Sequence, residues 1–177
     1  MKTVYYSLSV LVVVTLAFVA VPAYAQETTM TDEHITRIKS NCPAALSTLT
    51  RIHANDAPIY INRNQTYFSV SDKLMAKLNS RLTLNRFDAS QLVKITSEYN
   101  VQLAKFRTVY KQYDDIMTDL LRVNCRLQPV SFYDKVAIAK IKRQKVNDSV
   151  TELKRLLDMY NTNVNTFKSV HLSESNL

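Results

Sequence analysis

The sequence predicts an all-α protein, an antiparallel three-helix bundle with coiled-coil-like packing, and three observations carry that expectation. Among 177 residues there is no glycine, against an average usage of about 7%. Apolar residues recur at alternating spacings of three and four over three long stretches, which is how one helix face is written. The stretches are separated by two short breaks, and connections that short bring helices back as antiparallel neighbours. The missing glycine has a chemical consequence as well. A P-loop, a G-x-G-x-x-G turn and a G-x-S-x-G elbow are all ruled out, so nucleotide enzymes and the common hydrolases largely drop out.

Residues 1–25 read as a secretory signal peptide. Lys2 is the only charge before Glu27, an apolar run through Val10–Val14 and Phe18–Ala20 follows, and Pro22 precedes Ala23-Tyr24-Ala25. A basic start, an apolar middle and an Ala-x-Ala end are the three parts of such a signal, and cleavage falls after Ala25. The alternative is an uncleaved anchor, since the uncharged stretch is long enough to span a bilayer. Export implies a periplasmic, envelope-associated or secreted protein. With Lys2 removed, 22 Lys and Arg face 15 Asp and Glu, a net charge of +7. Anionic lipid head groups and anionic wall polymers suit such a chain better than nucleic acid does.

The mature chain is expected to be one domain: a flexible tail at 26–30, a helical bundle over 31–168 and a second flexible tail at 169–177. The first helix covers about 31–85. Thr31 followed by Asp32 and Glu33 supplies an N-cap oxygen and acids near the positive end of the dipole. Its seam runs through Leu46, Leu49, His53, Asp56, Tyr60, Arg63, Tyr67, Val70, Leu74, Leu78 and Leu82, with Pro43 and Pro58 the candidate points of interruption. Asn85 is the candidate for the left-handed residue that ends a helix when glycine is absent. Asp88-Ala89-Ser90-Gln91 then has the spacing of a capping box. The second helix, about 89–125, carries Leu92, Ile95, Tyr99, Leu103, Phe106, Tyr110, Tyr113, Met117 and Leu120. Gln128-Pro129 starts the third, about 129–168, whose seam runs Phe132, Val136, Ala139, Arg143, Val146, Val150, Leu153, Leu157, Tyr160, Val164 and Phe167. Five heptads at that spacing argue for coiled-coil-like packing.

The two cysteines test this layout. Cys42 to Asn85 is 43 residues and Asp88 to Cys125 is 37, or roughly 65 and 55 Å of helix at 1.5 Å per residue. The chain therefore goes out and returns to about the same end, where an exported protein should form a Cys42–Cys125 disulfide.

Candidate chemistry is sparse. His34, His53 and His171 are far apart, and none has a Cys or His at metal-ligand spacing, so no metal and no cofactor is expected. Asp114, Asp115 and Asp119 lie on one helix with Lys111 and Arg122 within a turn. That describes a salt-bridged face, whereas paired-acid catalysis needs carboxylates opposed across a cleft. Two other groups stand out. Asp56 lies 14 residues beyond Cys42 and Arg143 lies 14 beyond Pro129, both on seam positions. An internal polar layer of His53, Asp56 and Arg143 is expected, with Tyr113 beside it. On the heptad that puts Phe132, Ala139 and Arg143 inside, Ile141 points outward and Ile138 lies beside that face, with Lys140, Lys142 and Lys145 around them. This is a candidate patch for an anionic ligand, unless the Thr31–Asn41 segment folds over it with Ile35 and Ile38, or a second copy covers it.

The pattern Cys42, Arg51-Ile52, Tyr67, Phe87-Asp88-x-x-x-Leu92, Tyr113, Cys125, Gln128-Pro129, Phe132-Tyr133 and Lys142-Arg143-Gln144 resembles an uncharacterised group of exported two-cysteine helical-bundle proteins of small-genome bacteria. It covers about residues 36–160. Such proteins often place Gly at the turn after the first helix, where Asn85 or Arg86 stands here. The resemblance implies fold and export and no activity. The expectation that follows is a binding or structural protein of the cell envelope, not an enzyme, its partner an anionic envelope polymer, lipid head groups or an envelope protein. A periplasmic holdase-type chaperone and a membrane-active secreted effector are the alternatives.

Overall fold

A computed structural model of the chain describes residues 30–171; the expected signal segment and most of both tails lie outside it. Within these residues the fold is all-helical, with three helices packed against one another. The first is α1 (Asp32–Ser69), a π-helical turn (Val70–Met75) and α2 (Ala76–Leu84) in unbroken succession. Next come α3 (Ser90–Leu121) and α4 (Pro129–His171). Among the described residues no helix is long and apolar enough to cross a membrane. Cys42 and Cys125 pair as a disulfide, their Cα atoms 5.7 Å apart.

Thr31 caps α1, accepting from the His34 N–H at 3.4 Å. Neither proline interrupts the helix: Pro43 and Pro58 lie inside α1 and both are exposed. The residues whose carbonyls the two prolines fail to engage, Lys39 and Ala54, are exposed, so water can take the missing bond. The real interruption falls at Val70–Met75, where the Ala76 N–H reaches back five residues to the Ser71 carbonyl. Such a turn holds one residue more than the α-helix would, and it moves the apolar face by one position. Leu74, expected on the seam, is 63% exposed, while Met75 and Ser71 are buried. Beyond the turn Leu78 is partly buried and Leu82 is buried.

The chain leaves α2 through the left-handed region, but Arg86 (φ 62°) takes that conformation, not Asn85. Asn85 is held by its own side chain, whose Nδ2 donates to the Arg81 carbonyl at 2.8 Å. The Arg86 N–H then bonds to the Thr83 carbonyl and the Phe87 N–H to that of Leu82, each at 3.0 Å, the two bonds of a Schellman ending. Asp88 acts one residue earlier than a capping box requires. Its carboxylate accepts from the Ser90 N–H at 2.9 Å, and that bond holds its pKa below the ordinary carboxylate value.

α3 is the spine. All nine of its expected apolar positions, Leu92 through Leu120, are buried. α4 buries Phe132, Ala139, Val146, Val150, Leu153 and Tyr160 as expected, but Leu156 is buried where Leu157 was expected, and Leu157 is 36% exposed. The inward face there has drifted by a residue, as it does along a helix of 3.6 residues per turn. The helix also continues through Ser169 to His171, three residues into the tail expected at 169–177. There Phe167 meets Phe87 edge-to-face, with ring centroids 5.2 Å apart, and His171 lies tilted against the same ring.

α1 is different. Cys42 is its one fully buried residue, and α1 packs on α4 far more sparsely than α3 does. Where α1 and α4 stand apart, the interior opens.

Candidate functional site

The opening lies midway along the bundle. Asp56 on α1 accepts three bonds: from Arg143 Nε at 3.0 Å, from Arg143 Nη2 at 2.9 Å and from the Tyr113 hydroxyl at 2.6 Å. Asp56, Tyr113 and Arg143 therefore meet as expected. The layer is not internal, however. The Arg143 side chain is 50% exposed against 15% for Asp56, because α1 stands off α4 and leaves the guanidinium at the rim. His53 does not join the layer. Its Nε2 meets Asp114 Oδ1 on α3 at 2.8 Å, so Asp114 is a cross-helix partner and not part of the salt-bridged face assigned to it. Asp115 does behave that way, pairing with Lys111 at 2.9 Å.

Around this pair is a cleft of about 170 Å³, walled by Ile59, Tyr60 and Arg63 of α1, floored by Phe106 and Tyr110 of α3 and closed by Val146 of α4. The Tyr60 and Tyr110 rings stack 3.6 Å apart and 3° from parallel. Arg63 makes no hydrogen bond or ion pair among the described residues. Bonding to Asp56 raises the pKa of Arg143. Burial, and then the hydrogen bond to Asp56, push that of Tyr113 upward. Burial and the charges of Asp114 and Asp56 push the Tyr110 phenol up to about 12.

Tyr99 and Tyr160 are likewise pushed up to about 12 by burial. A phenol that holds its proton more tightly folded than unfolded contributes stability below the unfolded pKa of about 10, and that contribution is lost as pH rises through the folded value. The melting temperature should be level from pH 7 to about 9.5 and then fall steeply between about pH 10 and 12. A melt series with absorbance at the phenolate band checks this; a level profile to pH 12 would contradict it.

The isoleucine–lysine patch on α4 is where the spacing put it. Ile138 and Ile141 are 43% and 57% exposed. The Thr31–Asn41 segment does not cover them. Ile38 packs instead over a separate shallow apolar hollow with Leu49, Phe132 and Tyr133. Lys140 and Lys145 are exposed and pair with no carboxylate among the described residues. Lys142 departs from the expected ring: it is partly buried and donates to Gln112 Oε1 on α3 at 3.0 Å.

The buried polar layers towards the far end were missed from sequence. Asn79 donates to Thr96 Oγ1 at 2.8 Å and accepts from the Tyr160 hydroxyl at 2.8 Å. Gln102 donates to Ser149 Oγ at 2.9 Å. Ser149 lies beside Val150 and Asn79 beside Leu78, so the available signal was a polar residue flanking each apolar seam position. Among the described residues no three His, Cys, Asp or Glu converge as a metal site would require. Set against known protein families, curated proteins and solved structures, the chain matches none.

Proposed function

We propose that this chain is an exported, non-catalytic binding protein of the cell envelope, built as an antiparallel three-helix bundle with coiled-coil-like packing, that docks on an anionic lipid surface through α4. The short connections between α2 and α3 and between α3 and α4, with a disulfide joining the start of α1 to the end of α3, support the antiparallel arrangement. The signal-like residues 1–25 support export.

The observation that carries the docking is the α4 patch. Two isoleucines stay exposed between lysines that have no carboxylate partner among the described residues. Lys140 and Lys145 are exposed and can meet phosphate head groups, with Lys142 beside them on Gln112, and isoleucines at that level gain by entering the boundary between head group and acyl chain. A wall polymer would reward the charge but not the isoleucines.

The test is co-sedimentation of the protein with phosphatidylcholine vesicles containing phosphatidylglycerol, across a salt series. A basic side chain near an anionic membrane contributes about 1 kcal/mol. The Lys140→Gln, Lys142→Gln, Lys145→Gln variant should thus bind roughly 100-fold more weakly at low salt, with a flatter salt dependence. Equal binding by wild type and variant would overturn the patch. Binding to purified wall polymer but not to vesicles would move the partner to the polymer. Suppression of client aggregation or leakage of vesicle contents, without patch-dependent binding, would favour a chaperone or an effector.

A further inference from the structure

The cleft between α1, α3 and α4 has the size, walls and charge of a small-molecule site, and the lipid-docking patch has no part in it. Its volume of about 170 Å³ compares with the roughly 150 Å³ that suffices in another protein to hold benzene. The walls suit a ring: Phe106 and the stacked pair Tyr60 and Tyr110 present aromatic surface, and aromatic rings pack favourably offset or edge-on.

The charge selects among rings. Three charged groups line the cleft: Asp56, Arg63 and Arg143. Asp56 holds Arg143 through Nε and Nη2, which neutralises that guanidinium, and among the described residues no hydrogen bond is made by its Nη1. Arg63 has no such partner among the described residues, so one positive charge at the mouth remains uncompensated. An arginine fork matches a carboxylate, taking both oxygens at once.

We propose that this cleft binds a small planar organic monoanion, an aromatic carboxylate in class, with the ring against Tyr60 and Tyr110 and the carboxylate at Arg63 and the Nη1 edge of Arg143. Asp56 is the positioning residue: it fixes the Arg143 rotamer and gives the cleft a net charge of one.

Benzoate is the probe, titrated into the oxidised protein and followed by the ring-proton shifts of Tyr60 and Tyr110. Saturable shifts are expected. Benzamide, the same shape without the charge, should bind about tenfold more weakly. Arg63→Gln should weaken benzoate by about tenfold while leaving the melting temperature unchanged, because Arg63 is exposed and has no partner to strand. Arg63→Lys should fall between. The triple lysine variant should bind benzoate as wild type does. No saturable shift, equal binding of benzamide, or undiminished binding by Arg63→Gln would each overturn the proposal.

Discussion

Reducing the Cys42–Cys125 bond should lower the stability of the folded chain by about 4 kcal/mol and its melting temperature by roughly 10 °C. The two cysteines are 83 residues apart, and a cross-link that closes so long a loop removes a large share of the unfolded chain's freedom. The loss should also be uneven. Cys42 is the one fully buried residue of α1, whereas α3 and α4 share the core and hold each other without the bond. Hydrogen exchange in the reduced protein should therefore rise first over Asp32–Ser69, with α3 and α4 protected until global unfolding. A double Cys→Ser variant with the same melting temperature and uniform exchange would show that α1 is held by its other contacts.

Asp56→Ala should cost about 3 kcal/mol and Arg143→Ala about 1 kcal/mol, although the two residues are partners. The asymmetry comes from Tyr113. Its buried hydroxyl donates to Asp56 at 2.6 Å, and without that acceptor it carries a desolvation cost of about 1–3 kcal/mol. Removing Arg143 leaves Tyr113 satisfied and the Asp56 carboxylate still holding that hydroxyl's bond, while the pair that is lost is half solvated on the arginine side, where ion pairs contribute up to about 1 kcal/mol. Denaturant melts of the two single variants and the double variant measure the coupling. Equal costs for the two singles would mean that Arg143 is as buried as Asp56.

The sequence was most legible where a helix keeps one phase. From Leu92 to Leu120 the apolar positions follow each other without a slip, and every one is buried. The Asp56–Arg143 pairing was legible for the same reason, because equal distances from the disulfide end put both at one height. What spacing could not tell is how closely a neighbouring helix approaches. Tyr60 and Arg63 occupy seam positions, yet α1 stands away from α4 there, so they line a cleft instead of filling an interior. Whether an inward-facing side chain is covered depends on the partner helix, and that is a property of the assembled bundle. Leu74 failed differently. Tyr67, Val70 and Leu74 keep the spacing of an uninterrupted helix, and nothing in those residue types announces an additional residue.

That additional residue bears on how relatives of this chain can be recognised. Across Val70–Met75 the buried stripe changes phase by one position, so a protein with the same architecture and a plain α-helix there would be one residue shorter between Ser69 and Ala76. Without a gap, an alignment anchored on Tyr67 would pair Met75, Asn79 and Leu82 with solvent-facing residues, and one anchored on Leu82 would misplace Asp56 and Tyr60. The two halves of this helix have to be matched separately, each to its own register.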